Sequence, residues 1–460
     1  MFVTLTRKYR AAFVCLLILC SYNRPVSAAS SSVTVLNNVV YSSIKSGTRI
    51  IRVYWPQGMP ATAKTRAVVW IHGGGWFKGA FDESGIMPSD CTSTSTYACW
   101  LAENGIPVYD IDYTLVKTTV SATDLSIDPD NKSAVGSVSH KFTTADIGSA
   151  LIVTNGAGWA GAGYKIVDVT AAGLAILDSS PTIALTTRTA SYDLIQSGTM
   201  WPAQWQDTTC ALSWAADNLG VNFPGDPQNL VLMGHSAGGN LVLASGLIPV
   251  GTFPSTCDHT NRNYNIQDII ALSPPSDLRT LYTESVTAQR DIRNLLGCIP
   301  GTRDCDTIAD AASPTSYLAT GQPQVVAFSG QLDVGVPPVN VQEIQLGYQA
   351  IGVSSVWTVE PGESHDLDAF LFAPCSADPD GGEPTPCGSA GVCSTQHCRL
   401  SCPDRPVARP PARLVFSPYY EPTGAWRWHG SLSRTRETLG KQSGFRQMPR
   451  DPAHFRRFAG

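Results

Sequence analysis

Gly234-His235-Ser236-Ala237-Gly238-Gly239 is the stretch on which the reading of this chain turns. Before it, Asn229-Leu-Val-Leu-Met233 is a short apolar run of the kind that forms a buried strand. After it, Leu241-Val-Leu-Ala-Ser-Gly-Leu247 reads as the start of a helix. A strand, a Gly-x-Ser-x-Gly turn and a helix predict a nucleophile elbow, in which glycines relieve a tight bend and a strained serine projects from the sheet. In a chain with 40 Gly the pentapeptide alone also fits a structural glycine turn. The flanking strand and helix favour the nucleophile.

Working outward, further apolar runs predict strands. Val33–Leu36 and Arg49–Tyr54 alternate apolar and polar residues, as an antiparallel edge does. Ala67–Ile71, Pro107–Tyr113, Asp268–Ser273, Gln324–Phe328 and Val353–Val359 are buried-strand runs, with helical patterns at Trp201–Ala216 and between Ser273 and Tyr317. This alternation predicts an α/β fold with a mostly parallel, doubly wound sheet and its ligand site at the carboxyl ends of the strands.

The text between Tyr113 and Trp201 is too long for a loop inside a compact domain. It is rich in Thr, Ser, Ala and Gly, with β-type runs at Ala150–Thr154, Tyr164–Val169 and Leu174–Leu177. It reads as an inserted β-rich module over 117–195, dividing the α/β domain into 29–116 and 196–375. Residues 376–460 are Pro-, Gly- and Arg-rich with four cysteines, and read as a basic, disordered tail.

A serine hydroxyl needs a base to take its proton, and the base needs an acid to hold its tautomer. In a sheet of this kind the order is serine, acid, histidine, each after a strand. Asp333 follows the Gln324–Phe328 strand, with Asp366 and Asp368 as rivals; His365 follows the last strand. Backbone amides that meet a developing oxyanion are expected at Ala237 and in the loop His72-Gly73-Gly74-Gly75-Trp76. His72 reads as a structural prop of that loop and Trp76 as a pocket wall or prop. The chemistry calls for no metal and no organic cofactor.

His72-Gly-Gly-Gly75-Trp76 together with Gly234–Gly239 resembles the α/β-hydrolase superfamily, in particular its hormone-sensitive-lipase-like and feruloyl-esterase-like carboxylesterases. Ala312-Ser-Pro314 and Val336-Pro337 are similar to that pattern too, over about residues 40–115 and 200–375. The resemblance implies a serine carboxylesterase with Ser236, Asp333 and His365 as its triad. It implies oxyanion donors among Gly73, Gly74, Gly75 and Ala237. Many relatives carry Arg-Leu after the Asp-Tyr of the strand that follows the oxyanion loop; here Thr114-Leu115 leads directly to the insert. The insert, from Thr123–Asp128 to Leu177–Pro181, resembles a β-rich segment recurrent in phage-tail and surface-associated proteins, which implies a folded module without chemistry of its own.

Composition narrows the partners. The net charge is −5, with an acidic body and a basic stretch from Arg399 onward, a poor profile for nucleic-acid binding. Arg7–Arg10, the apolar Ala11–Cys20 and the small residues Val26-Ser27-Ala28 predict an export signal over 1–28 and a secreted or periplasmic protein. No later run reaches membrane-spanning length. Cys91/Cys99 and Cys298/Cys305 suggest local disulfides, the remaining connectivity staying open. The expected substrate is a small or medium acyl ester, with carbohydrate-linked esters included and a surface or glycan contact through the insert left open. Two rivals remain at this stage: a surface-binding protein on an inactive hydrolase fold, and an exported peptidase or amidase of the same fold.

Overall fold

A computed structural model of the chain describes residues 33–43, 47–79, 87, 90–91, 97–156, 159, 163–181, 189–254, 257–353 and 355–366, and the backbone of 415–420 and 426–431. The export signal expected over 1–28, Asp368 and the tail cysteines lie outside the described residues.

The described residues begin with the antiparallel pair β1 (Val33–Ser42) and β2 (Arg49–Pro56), followed by β3 (Ala67–Ile71), helix α1 (Tyr97–Glu103) and β4 (Val108–Ile111). Then comes an all-antiparallel unit of β5 (Thr118–Ile127), β6 (Ala134–Gly136), β7 (Ala150–Asn155), β8 (Gly163–Val169), β9 (Ala175–Leu177) and β10 (Ala190–Ile195). The main sheet resumes through α2 (Ala203–Asn218), β11 (Leu230–His235), α3 (Ala237–Leu247) and β12 (Ile266–Leu272). Three helices follow, α4 (Leu278–Glu284), α5 (Gln289–Leu296) and α6 (Arg303–Ala312), and then β13 (Gln324–Gly330), α7 (Pro338–Ala350) and β14 (Ser355–Glu360).

Eight strands form one sheet in the order β1-β2-β4-β3-β11-β12-β13-β14. From β4 to β14 every neighbouring pair is parallel, and the two strands at the other edge pair antiparallel. The chain leaves β3 for β4 on one side and β11 for β12 on the other. The order therefore reverses between β3 and β11, and a crevice opens at their carboxyl ends. The all-apolar β3 and the fully buried β11 are covered on both faces, which is why they lack the alternation of a half-exposed strand. One face packs Trp205, Leu212 and Leu241; the other packs Trp70, Tyr97 and Leu101.

β5 to β10 close into a barrel in the order β10-β5-β6-β9-β8-β7. Period-two patterning builds it: along β8, Tyr164 and Ile166 are buried while Lys165 and Val167 are exposed. Closure leaves no free strand edge. The three β-type runs read from the sequence became β7, β8 and β9. The other three strands did not stand out: β5 is Thr- and Ser-rich, β6 is three residues long, and β10 mixes polar and apolar residues. Phe142, Trp159, Tyr164 and Tyr192 all fill the barrel's own core.

Residues 403–460 form a unit of their own, within which the backbone of β15 (Val415–Tyr420) and β16 (Trp426–Ser431) pairs as an antiparallel hairpin; the rest of the tail expected over 376–460 lies outside the described residues. Among the described residues no helix is long and apolar enough to cross a membrane.

Cys91 pairs with Cys99 and Cys298 with Cys305, and a third disulfide, which local spacing does not suggest, joins Cys210 on α2 to Cys257. That third bridge spans 47 residues of sequence, including the elbow. Chain-entropy arguments put its contribution at about 4 kcal/mol as an upper figure. Replacing both Cys210 and Cys257 by Ser should lower unfolding free energy by about 2–4 kcal/mol, read from urea unfolding, and should cost more than the same change at Cys298 and Cys305.

Candidate active site

β11 ends in the elbow. Ser236 holds φ 54° and ψ −121°, a region that costs a non-glycine residue about 1–3 kcal/mol and marks a site where the surroundings impose the geometry. Its N–H donates to the Leu272 carbonyl at 2.8 Å, tying the bend to β12. Helix α3 begins at the next residue, so its positive end faces the serine. Gly238 permits the close packing here. A β-carbon at that position would collide with the carbonyl oxygens of Ile71 and His72 at the end of β3.

His365 lies beyond β14 and Asp333 beyond β13, and the structure brings both to Ser236. His365 Nε2 is 2.8 Å from Ser236 Oγ, and His365 Nδ1 is 2.7 Å from Asp333 Oδ2. In neutral imidazole, Nδ1–H donates to the carboxylate, which leaves Nε2 to accept from the serine hydroxyl. Asp333 Oδ1 accepts the N–H groups of Gly335 (2.9 Å) and Val336 (2.8 Å), so the buried carboxylate is satisfied and oriented. Gly330 again allows close approach, since a β-carbon there would meet the carbonyl oxygens of Ser364 and Glu363. The rival Asp366 is exposed and contacts Ser364.

The loop after β3 is held from below. The His72 ring is fully buried, lies 2.8 Å from the Gly73 carbonyl through Nδ1, and stacks on Tyr113 at 4.3 Å. Tyr113 Oη donates toward the carbonyl oxygens of His72 and Gly73 at 3.2 and 3.3 Å. Trp76 is buried with φ 64°, and its carbonyl accepts the Val116 N–H at 2.8 Å, so it props the loop. Among the described residues no hydrogen bond engages the amides of Gly74, Gly75 and Ala237.

Two supports escaped sequence reasoning. His235 Nε2–H donates to the His365 carbonyl at 2.8 Å, and its ring centroid is 4.9 Å from that of His365. Burial, reinforced by the neighbouring His365, holds His235 at about 3, so the ring is neutral. In sequence it was only the variable residue of the elbow. The second support is a pair of hydroxyls, Ser285 Oγ and Thr287 Oγ1, which donate to the Val334 carbonyl at 2.8 and 3.1 Å and steady the Asp333 loop. Nothing in their spacing distinguishes them from ordinary loop residues.

This arrangement defines a hydrolase-type site: a strained serine backed by an imidazole and a carboxylate, beside a glycine loop. Residues 148–346 match the family model described as BD-FAE, an α/β-hydrolase-type esterase family. The matched part contains Ser236 and Asp333, whereas the His72–Trp76 loop and His365 fall outside it. The match marks a hydrolase of the carboxylesterase type. No curated protein matches the chain. Among solved structures, it is similar to the native thermophilic esterase Est2 of the planctomycete Thermogutta terrifontis, at 15% identity and TM-score 0.43, over 75% of this chain and 85% of that one. It is also similar to esterase B from Lactobacillus rhamnosis, at 16% identity and TM-score 0.44, over 78% and 85% of the two chains. A truncated carbohydrate esterase from gut microbiota matches at 15% identity and TM-score 0.42, over 75% and 95%.

The depressed His235 makes stability depend on pH. Unfolded, the ring takes a proton as pH falls below its ordinary value of 6.5; folded, it resists until about 3. Its contribution is therefore complete above pH 6.5 and shrinks as pH falls, by about 1.4 kcal/mol per unit. A His235→Gln variant should lose stability less steeply between pH 6 and pH 4 by about that slope, measured by urea unfolding at each pH.

Proposed function

We propose that this chain is an exported serine carboxylesterase built on an α/β-hydrolase fold, hydrolysing small or medium acyl esters through an acyl-enzyme. The observation that carries this reading is the hydrogen-bonded line from Ser236 through His365 to Asp333, starting at a serine held at positive φ. Ser236 Oγ attacks the ester carbonyl as its proton passes to His365 Nε2. The imidazolium stays paired through Nδ1–H with Asp333, which keeps its negative charge. The oxyanion is met by amides drawn from Gly73, Gly74, Gly75 and Ala237, a kind of contact worth about 3–4 kcal/mol per donor when preorganised. As the C–O bond breaks, Nε2–H protonates the departing alcohol. Water then attacks the acyl-enzyme with His365 as base, and acid and free serine are released.

The three disulfides fit an oxidising compartment, which supports export. The proposed substrates include carbohydrate-linked esters. The barrel lends less to glycan binding, because its four aromatic side chains are all buried in its own core and offer no stacking platform.

Ser236→Ala should reduce hydrolysis of 4-nitrophenyl acetate and butyrate by roughly three orders of magnitude or more and abolish labelling by a fluorophosphonate. Turnover at the wild-type rate in this variant would refute the reading.

A further inference from the structure

Helix α5 runs between the barrel and the glycine loop. Arg293 Nη2 and Arg290 Nε lie 3.8 and 4.0 Å from Asp193 Oδ2 on β10, and Asp193 also accepts the Ser121 hydroxyl. Asn294 Nδ2 is 3.4 Å from Thr118 Oγ1 on β5. Asp291, between the two arginines in sequence, meets the other side. A β-carbon built on Gly75 would fall 2.5 Å from Asp291 Oδ2 and 2.9 Å from Phe77 Cε1. The carboxylate thus rests against the backbone of a residue whose amide is a proposed oxyanion donor.

Asp291 is half-buried, and among the described residues its carboxylate makes no side-chain hydrogen bond and no ion pair. Its closest cationic neighbours on the same helix have Asp193 as their partner instead. Burial pushes the Asp291 carboxyl up to about 6, against the pull of Lys78, Arg290 and Arg293. A half-buried carboxylate without a donor is costly, and a donor on the bound substrate would relieve it.

We propose that Asp291 is a specificity residue, accepting a hydrogen bond from a free hydroxyl of an ester whose carbonyl sits on the Gly73–Gly75 loop, and that the barrel, through Asp193, keeps Arg290 and Arg293 from occupying it. The donor is an uncharged hydroxyl, because Lys78, Arg290 and Arg293 surround the position with positive charge that opposes a cationic group. This inference rests on the serine-esterase reading and adds to it the substrate feature that the site selects.

The test compares two acetates with the same acyl group and the same leaving oxygen: a monoacetylated methyl xyloside, and its analogue with the free hydroxyls converted to methyl ethers. The wild type should favour the hydroxylated ester in kcat/KM by on the order of tenfold or more, and Asp291→Ala should bring that ratio close to one. Asp291→Asn, whose amide oxygen still accepts, should retain part of it. Asp193→Asn should lower the ratio by releasing the arginines toward Asp291. An equal ratio in wild type and Asp291→Ala overturns the proposal; should that variant fail to fold, a wild-type ratio in both Asp291→Asn and Asp193→Asn overturns it. A larger loss on acetylcholine than on the hydroxylated acetate, in either Asp291 variant, also overturns it. Ser236→Ala separates the two levels: if it still turns over both acetates, the nucleophile assignment fails, whatever Asp291 does.

Discussion

The close approach of Gly238 to the end of β3 is the constraint on which the rest depends. Strand β11 pairs with β3 up to Gly234 and Ile71, and the chain then turns into α3 with no room for a side chain against the Ile71 and His72 carbonyls. This packing places three things within one small volume: a serine at positive φ, the amino end of a helix, and a loop of three glycines. None of them is unusual alone. Together they put a hydroxyl beside amides and a helix end oriented for negative charge, at the carboxyl edge where the strand order reverses.

Asp333 and His365 are held by a second set of contacts. Gly330 lets the loop carrying His365 pack onto the end of β13, and two amides of the next loop fix Asp333. His235, the residue before Ser236, then ties the His365 backbone to the end of β11 through its own side chain. A neutral, buried histidine suits this role, since burial disfavours a charged ring there.

The barrel interrupts the fold between β4 and α2, yet both of its ends reach the neighbourhood of the glycine loop. Val116, two residues before β5, bonds to the Trp76 carbonyl; Asp193, on β10, faces the arginines of α5. A module that looks detachable in sequence therefore touches elements that shape the site. Its own core is independent, filled by alternate residues of its six strands.

Much of this protein was legible in its sequence because the signals were local. Continuous apolar runs give the parallel strands, alternation gives the antiparallel edge, and Gly-x-Ser-x-Gly between a strand and a helix gives the elbow. Asp333 and His365 could be selected because each follows a strand of known order. What remained hidden depended on residues distant in sequence. The Cys210–Cys257 bridge, the His235 bond to His365 and the Ser285 and Thr287 bonds to Val334 join positions whose spacing carries no periodicity. The barrel's closure was hidden for the same reason, because β5 and β10 become neighbours only when the intervening strands have curled round to bring them together. Local pattern determined which segments could be strands and helices; only long-range packing decided which of their ends would meet around Ser236.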